Sequence, residues 1–577
     1  MRLLDRIALA RGRELTLGTL MERLAAIHGD RPFVTEADGG FAATFAEAAA
    51  LVDRWAGGIA AQSEPGSRVV LATANGYEQF LLTLAASRAG RVPAPVNGQM
   101  SKAEIEHVVA DSGASLVVRA VADVDDAEVE PFGPAAAADP GDIGALFYTS
   151  GTTGKPKGAE LTHRGLVGGM SMAALLPSGL RRDEVVLGLP VAHIFGFTAV
   201  VGAACGGLPV YFFPRFNPAK ALDAIESRRA TIFVGVPAMY RMLLEAGAED
   251  RDLTSVRLWI SGADAMPTEL ATRFKRFGAT ATLPLVGPIG EASFAEGYGM
   301  VETGGGVAVR LSPPLLPAGL GGSVGVPLPG NTFKVVGDDG EEVAVGGVGE
   351  LLLSGPGVLK GYHGAPEATA AALTDDGWLR TGDLARRGVA GMVNFEGRMK
   401  DVIKRGGYSV YALEVEKTLE EHQDVLEAAV VPVPDDRDGE VPVAAVRLRP
   451  GADLASLDLG AWAAERLSKY KVPLRFVAVD DLPRTGTNKV QRKEVVALVE
   501  DASDAPGAEA AAAGSTASGS TAKASAKRAP AKRGAAKKAA GKKAPAKKAA
   551  TTKAPAKKGA AKKAATSAAP AKRAPAK

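Results

Sequence analysis

The distribution of charge along the chain sets the first limit on how it can fold. From Lys523 to Lys577 there are 19 Lys/Arg and no acid; the last acid is Glu509. From about Asp501 the composition falls to Ala, Lys, Pro, Gly, Ser and Thr, and no aromatic residue follows Phe476. Such a segment cannot bury enough apolar surface to offset its chain entropy, so residues 501–577 are expected to form a disordered basic tail. Any hydrophobic core must come from the residues before it. The chain of 577 residues carries 68 Lys+Arg and 65 Asp+Glu, a net charge of +3. Without the tail's cations, 49 basic residues face 65 acidic ones, a body of charge −16. That body is too long for one core and predicts at least two domains. Its acidity argues against a nucleic-acid-binding core. The tail permits a peripheral contact with nucleic acid or an anionic membrane.

One cysteine, Cys205, excludes a disulfide framework and a Cys-based zinc or iron–sulfur site. The six histidines show no HExxH pairing, against a zinc hydrolase. The first residues, Met1-Arg-Leu-Leu-Asp5, do not read as a signal peptide, and a cytoplasmic protein is expected. Val185–Pro214 holds no Asp, Glu, Lys or Arg, yet Pro190, Gly196, Gly202, Gly206, Gly207 and Pro209 interrupt it. A membrane span needs about 20 apolar residues in continuous helix, so buried strand–loop–helix is expected there.

Short apolar runs read as buried strands: Val69–Ala72, Ile143–Phe147, Thr231–Gly235 and Leu258–Ile260. Helical stretches lie between them, for example Leu15–Ala26, Phe45–Ala61 and Ala219–Arg229. The alternation predicts a layered α/β body. Near 310–360 the pattern turns to Gly/Pro-punctuated segments such as Thr332–Val336 and Glu350–Leu353, which predicts an antiparallel, barrel-like subregion. A boundary falls near Gly397–Lys400. Beyond it comes a small α+β domain: helix Ala412–His422, strands Leu426–Val433 and Val441–Arg449, helix Leu457–Ser468, strand Phe476–Val479. The expected domains are 1–397, a mobile lid 398–500 and the tail 501–577.

The sharpest chemical signal is Tyr148-Thr-Ser-Gly-Thr-Thr-Gly-Lys-Pro-Lys-Gly158, after a predicted strand. Glycines let backbone N–H groups approach phosphate oxygens, and hydroxyls and lysines complete a cradle. It is not a Walker A loop, because Lys155 is followed by Pro156. By itself such a string also fits a polar surface loop.

With the motifs that follow it in order, the stretch from about Leu17 to Val499 resembles the adenylate-forming superfamily, of the acyl-CoA synthetase type. The matching segments are Pro190-Val-Ala-His-Ile-Phe-Gly196, Ser261-Gly-Ala-Asp264, Tyr298-Gly-Met-Val-Glu302, Gly377-Trp-Leu-Arg-Thr-Gly-Asp383, Gly397-Arg-Met-Lys-Asp401 and Leu482-Pro-Arg-Thr-Gly-Thr-Asn-Lys-Val490. The resemblance implies ATP, Mg²⁺ and CoA as reactants and cofactor. It implies a phosphate loop of Thr149, Ser150, Gly151, Thr152, Thr153, Gly154 and Lys155. Gly262, Ala263 and Asp264, with Tyr298, Gly299 and Met300, would border adenine. Asp383 would take the ribose hydroxyls and Arg398 would face the nucleotide. Glu302, with Thr149, would hold the metal. His193 would border the acyl group, and Lys489 would bridge carboxylate and phosphate. Lys400 would be the hinge, and Lys404, Gly406 and Gly407 would line the CoA channel. Those two glycines fit a hairpin turn equally well.

The chemistry suits these residue types. Carboxylate and ATP are both anionic, and a lysine between them cancels their repulsion. An ionised Asp offers two acceptor oxygens to two hydroxyls. Two positions depart from the pattern. Val301 stands where the family usually has Thr, and a valine cannot donate to phosphate; Thr303 is a candidate substitute. Asn488 replaces a usual Gly. An apparent insertion, Pro284–Ser293, is expected either to reshape the acyl pocket or to form a surface loop. The pocket should be built around His193–Phe213, Val234–Tyr240 and the strand to Tyr298, with Ile194, Phe195, Phe197, Val200 and Val201 as lining. No arginine lies between Gly196 and Val210, against a second substrate carboxylate in a dry pocket. The expected activity is ATP-dependent activation of a monocarboxylic acid, a medium- or long-chain fatty acid or an aryl acid, followed by transfer to CoA. Transfer to a carrier protein, and a non-catalytic binding protein served mainly by its tail, are the alternatives.

Overall fold

The computed structural model describes residues 3–11, 14–98, 100–126, 128–149, 155–175, 183–283, 285–318, 323–484 and 489–502. The expectation for the tail lies outside these residues from 503 onward, as do Ser150–Gly154 and Asn488.

Among the described residues, the largest sheet has nine strands. Their order is Val326–Pro327, Gly305–Ser312, Ser293–Met300, Leu258–Gly262, Ile232–Gly235, Val185–Leu187, Val210–Phe212, Pro32–Glu36 and Ala42–Thr44. The six strands from Ser293–Met300 to Pro32–Glu36 run parallel. Parallel neighbours need crossovers, and helices such as Ile194–Gly206 and Pro218–Arg228 supply them. Strands covered on both faces read as unbroken apolar runs, as in Val185–Leu187, where every residue is buried. Phe233, Tyr240, Trp259 and Phe274 meet edge-on, with centroids 4.9–5.3 Å apart for three of the pairs, and pin flanking helices to the sheet. Burial of each such ring is worth roughly 1.5–3 kcal/mol. A second parallel sheet joins Val92–Pro95, Arg68–Leu71 and Leu116–Val118. Helix Phe45–Gln62 starts where Thr44 accepts the Glu47 N–H and the Glu47 carboxylate accepts the Thr44 N–H at 2.8 Å.

The antiparallel subregion is a four-stranded sheet of Thr332–Val336, Val348–Ser354, Leu379–Arg387 and Val393–Arg398. The small domain follows. Its helix Ala412–Glu420 and strands Val425–Asp435, Gly439–Leu448 and Arg475–Ala478 lie close to their expected places. The hairpin Val402–Arg405/Tyr408–Tyr411 and the helix Arg492–Asp501 carried no strong apolar period and were not anticipated. The Val185–Pro214 segment is strand, loop, helix Ile194–Gly206 and strand. No helix among the described residues is long and apolar enough to cross a membrane.

The small domain is fastened to the body by charge. Arg241, on helix Pro237–Glu245, reaches Glu427 at 2.9 Å and Glu420 at 3.3 Å. Arg447 meets Glu245 at 2.8 Å. Inside the small domain itself, Arg484 also pairs with Glu427. Within the small domain, Arg492 joins Asp401 at 3.1 Å and Glu416 at 2.7 Å.

Candidate active site

The parallel strands Leu258–Gly262 and Ser293–Met300 end side by side, with Gly262 opposite Gly297. A Cβ on Gly262 would sit 3.1 Å from the Phe195 ring and 3.4 Å from the Gly297 carbonyl, so glycine lets three elements meet at the mouth of the cleft. That cleft, about 2400 Å³, runs between the body and the small domain. Gly262, Ala263, Asp264, Tyr298, Gly299 and Met300 line it, as do Glu302, Asp383, Arg398, Lys400 and Lys489. Thr149 and Lys155, at either end of the phosphate loop, face the same space. The two sides of that loop are paired strands, Ile143–Thr149 and Lys157–Thr162.

Tyr298 and Asp383 come from different sheets. The Tyr298 hydroxyl donates to Asp383 Oδ2 at 2.7 Å, and Arg398 Nε lies 3.1 Å from Oδ1. Arg398 faces Asp383 because the two are register partners on adjacent strands. Burial raises the Asp383 carboxyl, while Arg398, the Tyr298 hydroxyl and Lys489 pull it down. Glu302 is clamped twice by one segment: its side chain accepts the Tyr362 hydroxyl at 2.8 Å and its carbonyl accepts the Leu359 N–H at 2.9 Å. Tyr362 gave no signal in the sequence, because only the fold brings it to Glu302.

Lys489 enters from the small domain. Burial lowers its pKa and Arg398 adds to this, while Asp264, Asp383 and Glu302 oppose it. It therefore sits among three carboxylates and beside a second cation. The same ammonium acts on His193, whose imidazole is pushed down to about 4 mainly by burial and then by Lys489. His193 is neutral near pH 7. It caps helix Ile194–Gly206, with Nδ1 accepting the Phe195 N–H at 3.3 Å, which leaves the ring proton on Nε2. The residue is both helix cap and cleft wall.

Several expectations need correction. The Tyr148 hydroxyl does not join a phosphate cradle; it donates to Asp111 at 2.9 Å. A Cβ on Gly158 would lie 3.0 Å from the Tyr148 ring, so this glycine makes room for the tyrosine. Thr303 does not stand in for Val301. Its side chain is buried, 2.9 and 2.7 Å from the carbonyl oxygens of Met300 and Gly305, while Val301 lines the cleft. Phe197, Val200 and Val201 pack into the core on the far face of their helix. The cleft face is Ile194, Phe195, Thr198, Ala199, Gly202 and Ala203. Gly406 and Gly407, at φ 54° and 84°, form the two-residue turn between paired Arg405 and Tyr408, which is their hairpin reading. Lys404 donates to Ser409 at 2.9 Å; none of the three lines the cleft in this arrangement, which does not bear on a channel formed in another orientation of the small domain. Of the two readings of the apparent insertion, its described residues fit the surface one: Gly287–Ile289 pair with Ala281–Leu283 outside the cleft wall.

An apolar arm leaves the cleft beside His193. The cleft face of helix Ile194–Gly206 forms one wall, and Val185, Ile232, Val234, Leu258 and Ile260 form the other. Met170, Met172 and Leu208 also border it. A Cβ on Gly202 would have only the Met170 sulfur within 4 Å, at 3.6 Å. Among the described residues no group of three or more His, Cys, Asp or Glu forms a metal cage. Glu302 and the Thr149 hydroxyl are hard oxygen donors that suit a magnesium ion held largely by substrate phosphates.

The comparisons with known proteins agree with this geometry. The family described as AMP-binding enzyme matches residues 21–363, and the AMP-binding enzyme C-terminal domain matches 414–489. The chain is 36% identical over 485 residues to a feruloyl-CoA synthase of Amycolatopsis sp, covering 79% of this chain and 94% of that one. It is 35% identical over 360 residues to a long-chain-fatty-acid–CoA ligase of Bacillus subtilis, covering 62% and 61%. The o-succinylbenzoate CoA synthetase of Bacillus subtilis has been solved with its acyl-adenylate intermediate, at 27% identity and TM-score 0.70, covering 84% and 98%. Solved with ATP and magnesium ion, it aligns at 27% identity and TM-score 0.69, covering 83% and 99%. Two family domains in the right order, around a cleft that joins them, lead to one conclusion: the chain belongs to the AMP-binding family of adenylate-forming enzymes and is a ligase.

Proposed function

We propose that this ligase activates an apolar monocarboxylic acid, a medium- or long-chain fatty acid, to its acyl-adenylate and passes the acyl group to CoA. The observation that carries the reading is the uncharged arm. It opens beside His193 and Lys489, while the rest of the cleft is lined by carboxylates and cations. From Phe195 to Ala203 its helical wall extends about 12 Å. Thioether ends such as Met170 and Met172 adapt to variable apolar shapes.

In the first step a substrate carboxylate oxygen attacks the α-phosphorus of ATP. The new O–P bond forms as the bond to the bridging oxygen breaks, and pyrophosphate leaves. Lys489 holds the two anions together, which removes their repulsion and fixes the line of approach. Glu302 and Thr149 would hold Mg²⁺, which neutralises the departing charge. Asp383 accepts from the ribose hydroxyls, Arg398 faces the phosphate, and Gly262–Asp264 with Tyr298–Met300 border the base. The loop Thr149–Lys155 holds the phosphates. His193, neutral, offers its Nε2 proton as a hydrogen-bond donor at the mouth of the acyl arm. In the second step the lid, residues 398–500, turns about Lys400 away from the body, residues 1–397. Lys489 withdraws and the hairpin of Lys404, Gly406 and Gly407 faces the cleft. The CoA sulfur then attacks the acyl carbonyl, and AMP leaves with the electrons of the broken mixed-anhydride bond.

The test is a panel of carboxylic acids with ATP, Mg²⁺ and CoA, following AMP release. Saturated fatty acids should be turned over best. Preference for hydroxycinnamic acids would replace the fatty-acid reading with an aryl one. Pyrophosphate exchange without thioester would point to a carrier-protein acceptor.

A further inference from the structure

The surface hairpin Ala281–Leu283/Gly287–Ile289 and the loop after strand Gly305–Ser312 share an unusual feature at their tips. Leu285 and Leu315 both adopt φ 68°, left-handed backbone that favours glycine or asparagine. Both residues stand largely in solvent, at 108% and 86% exposure. Neighbouring Val286 and Leu316 are exposed as well. Leucine at these positions strains the turn and leaves apolar surface in water, so neither folding nor solubility accounts for it.

The two loops are tied to one anchor. The buried Lys275 ammonium donates to the Pro313 carbonyl at 2.9 Å and to the Leu316 carbonyl, and lies 3.4 Å from Glu291. The Glu291 carboxylate accepts the Leu315 N–H at 2.9 Å. Thr280 holds the base of the hairpin, donating to the Glu291 carbonyl at 2.8 Å. Both tips therefore project from one region of the body, and neither lines the cleft.

The occupant follows from what the chain carries elsewhere. A stable protein interface takes about 20–30 residues a side, far more than a few leucine tips offer. Isolated apolar tips suit the interfacial layer of a bilayer, but weak insertion needs a second signal. The tail has that signal and nothing else. Basic pairs recur every five residues at Lys527, Lys532, Lys537, Lys542 and Lys547, each followed by Lys or Arg. From Ala502 onward there is no Val, Ile, Leu, Met or aromatic residue. The tail is charge without apolar surface; the loops are apolar surface without charge.

We propose that the loops bearing Leu285 and Leu315 insert into the headgroup layer of an anionic lipid membrane, with the basic tail supplying the electrostatic attraction. The test is co-sedimentation of the full chain with vesicles of phosphatidylcholine, with and without phosphatidylglycerol. The chain is expected to bind the anionic vesicles and to weaken in salt. The double variant L285N/L315N suits the left-handed backbone, so it should melt and activate acids in solution as the parent does. It should bind vesicles about tenfold or more weakly. L285G/L315G should reproduce that loss. Undiminished vesicle binding by both variants would overturn the proposal, because the tail would then act alone. Two other results would also overturn it: a parent that binds duplex DNA but no vesicles, and a parent that dimerises without lipid while the variants stay monomeric.

Discussion

The body and the lid hold their shares of the cleft by different forces. On the body side the walls are strand ends and a helix backed by large buried aromatics such as Trp259 and Phe197. Their positions are set by packing, which changes little with salt or pH. On the lid side, Glu420 and Glu427 meet Arg241 of the body, and Arg447 meets Glu245 of the body. Such contacts can be exchanged for water at modest net cost, whereas an apolar interface would have to be re-exposed. One wall is held by packing, and the other by pairs that can be exchanged for water.

The contrast is tested most severely at Lys489, the residue proposed as the lid's contribution to the chemistry. Lys489→Ala should lower acid-dependent ATP–pyrophosphate exchange by about a thousandfold, roughly 4 kcal/mol of transition-state energy. Thioester formation from supplied acyl-adenylate should survive. If exchange persisted, the lid would not supply the bridging charge. Next in size is a change to the body alone. Gly202→Phe should fill the apolar arm and cut turnover of long acids by about a hundredfold, shifting the profile to short ones without changing its salt dependence. A uniform loss across chain lengths would place the acyl group elsewhere. Arg241→Met should then lower adenylation by about tenfold, and the deficit should grow with ionic strength as the remaining pairs are screened. Equal loss at all salt concentrations would mean the seat of the lid is not electrostatic.

The smallest effect is in pH. Glu420 is raised to about 7, first by burial, with Glu427 and Glu416 adding to this and Arg241 and the Ala428 N–H opposing it. The seated lid keeps that proton to about pH 7, whereas an unfolded or exposed Glu420 loses it near its ordinary 4.5. The seated form therefore binds more protons between those values, and its stability falls as pH rises through that window and levels off above it. Glu420→Gln should flatten this slope in thermal melts, a change of roughly 1–3 °C. An unchanged slope would assign it to another group.

The sequence made local features legible and left long-range ones hidden. The strand leading to Thr149, the end of strand Leu258–Gly262 and the small α+β domain could be read because each is encoded by neighbouring residues, whereas the partner strand Lys157–Thr162 was not anticipated. The apolar arm was harder. Helix Ile194–Gly206 is apolar nearly all round, so its pattern could not say which face meets the sheet and which meets the cavity. Phe197, Val200 and Val201 were assigned to the wrong side for that reason. The lid's ion pairs join residues such as Arg241 and Glu420, 179 positions apart, and no local spacing announces such partners. Tyr362 escaped notice in the same way, since it meets Glu302 from 60 residues away.

Cys205 lies 1% exposed on the core side of the helix that walls the apolar arm, and burial holds its thiol up to about 12. It is the chain's single sulfhydryl. Maleimide dyes and oxidants should pass it by. A pair of cysteines introduced at exposed sites, one on the body and one on the lid, would then be the sole points of labelling. Distance measurements during turnover could begin from the natural sequence, without first stripping out background thiols.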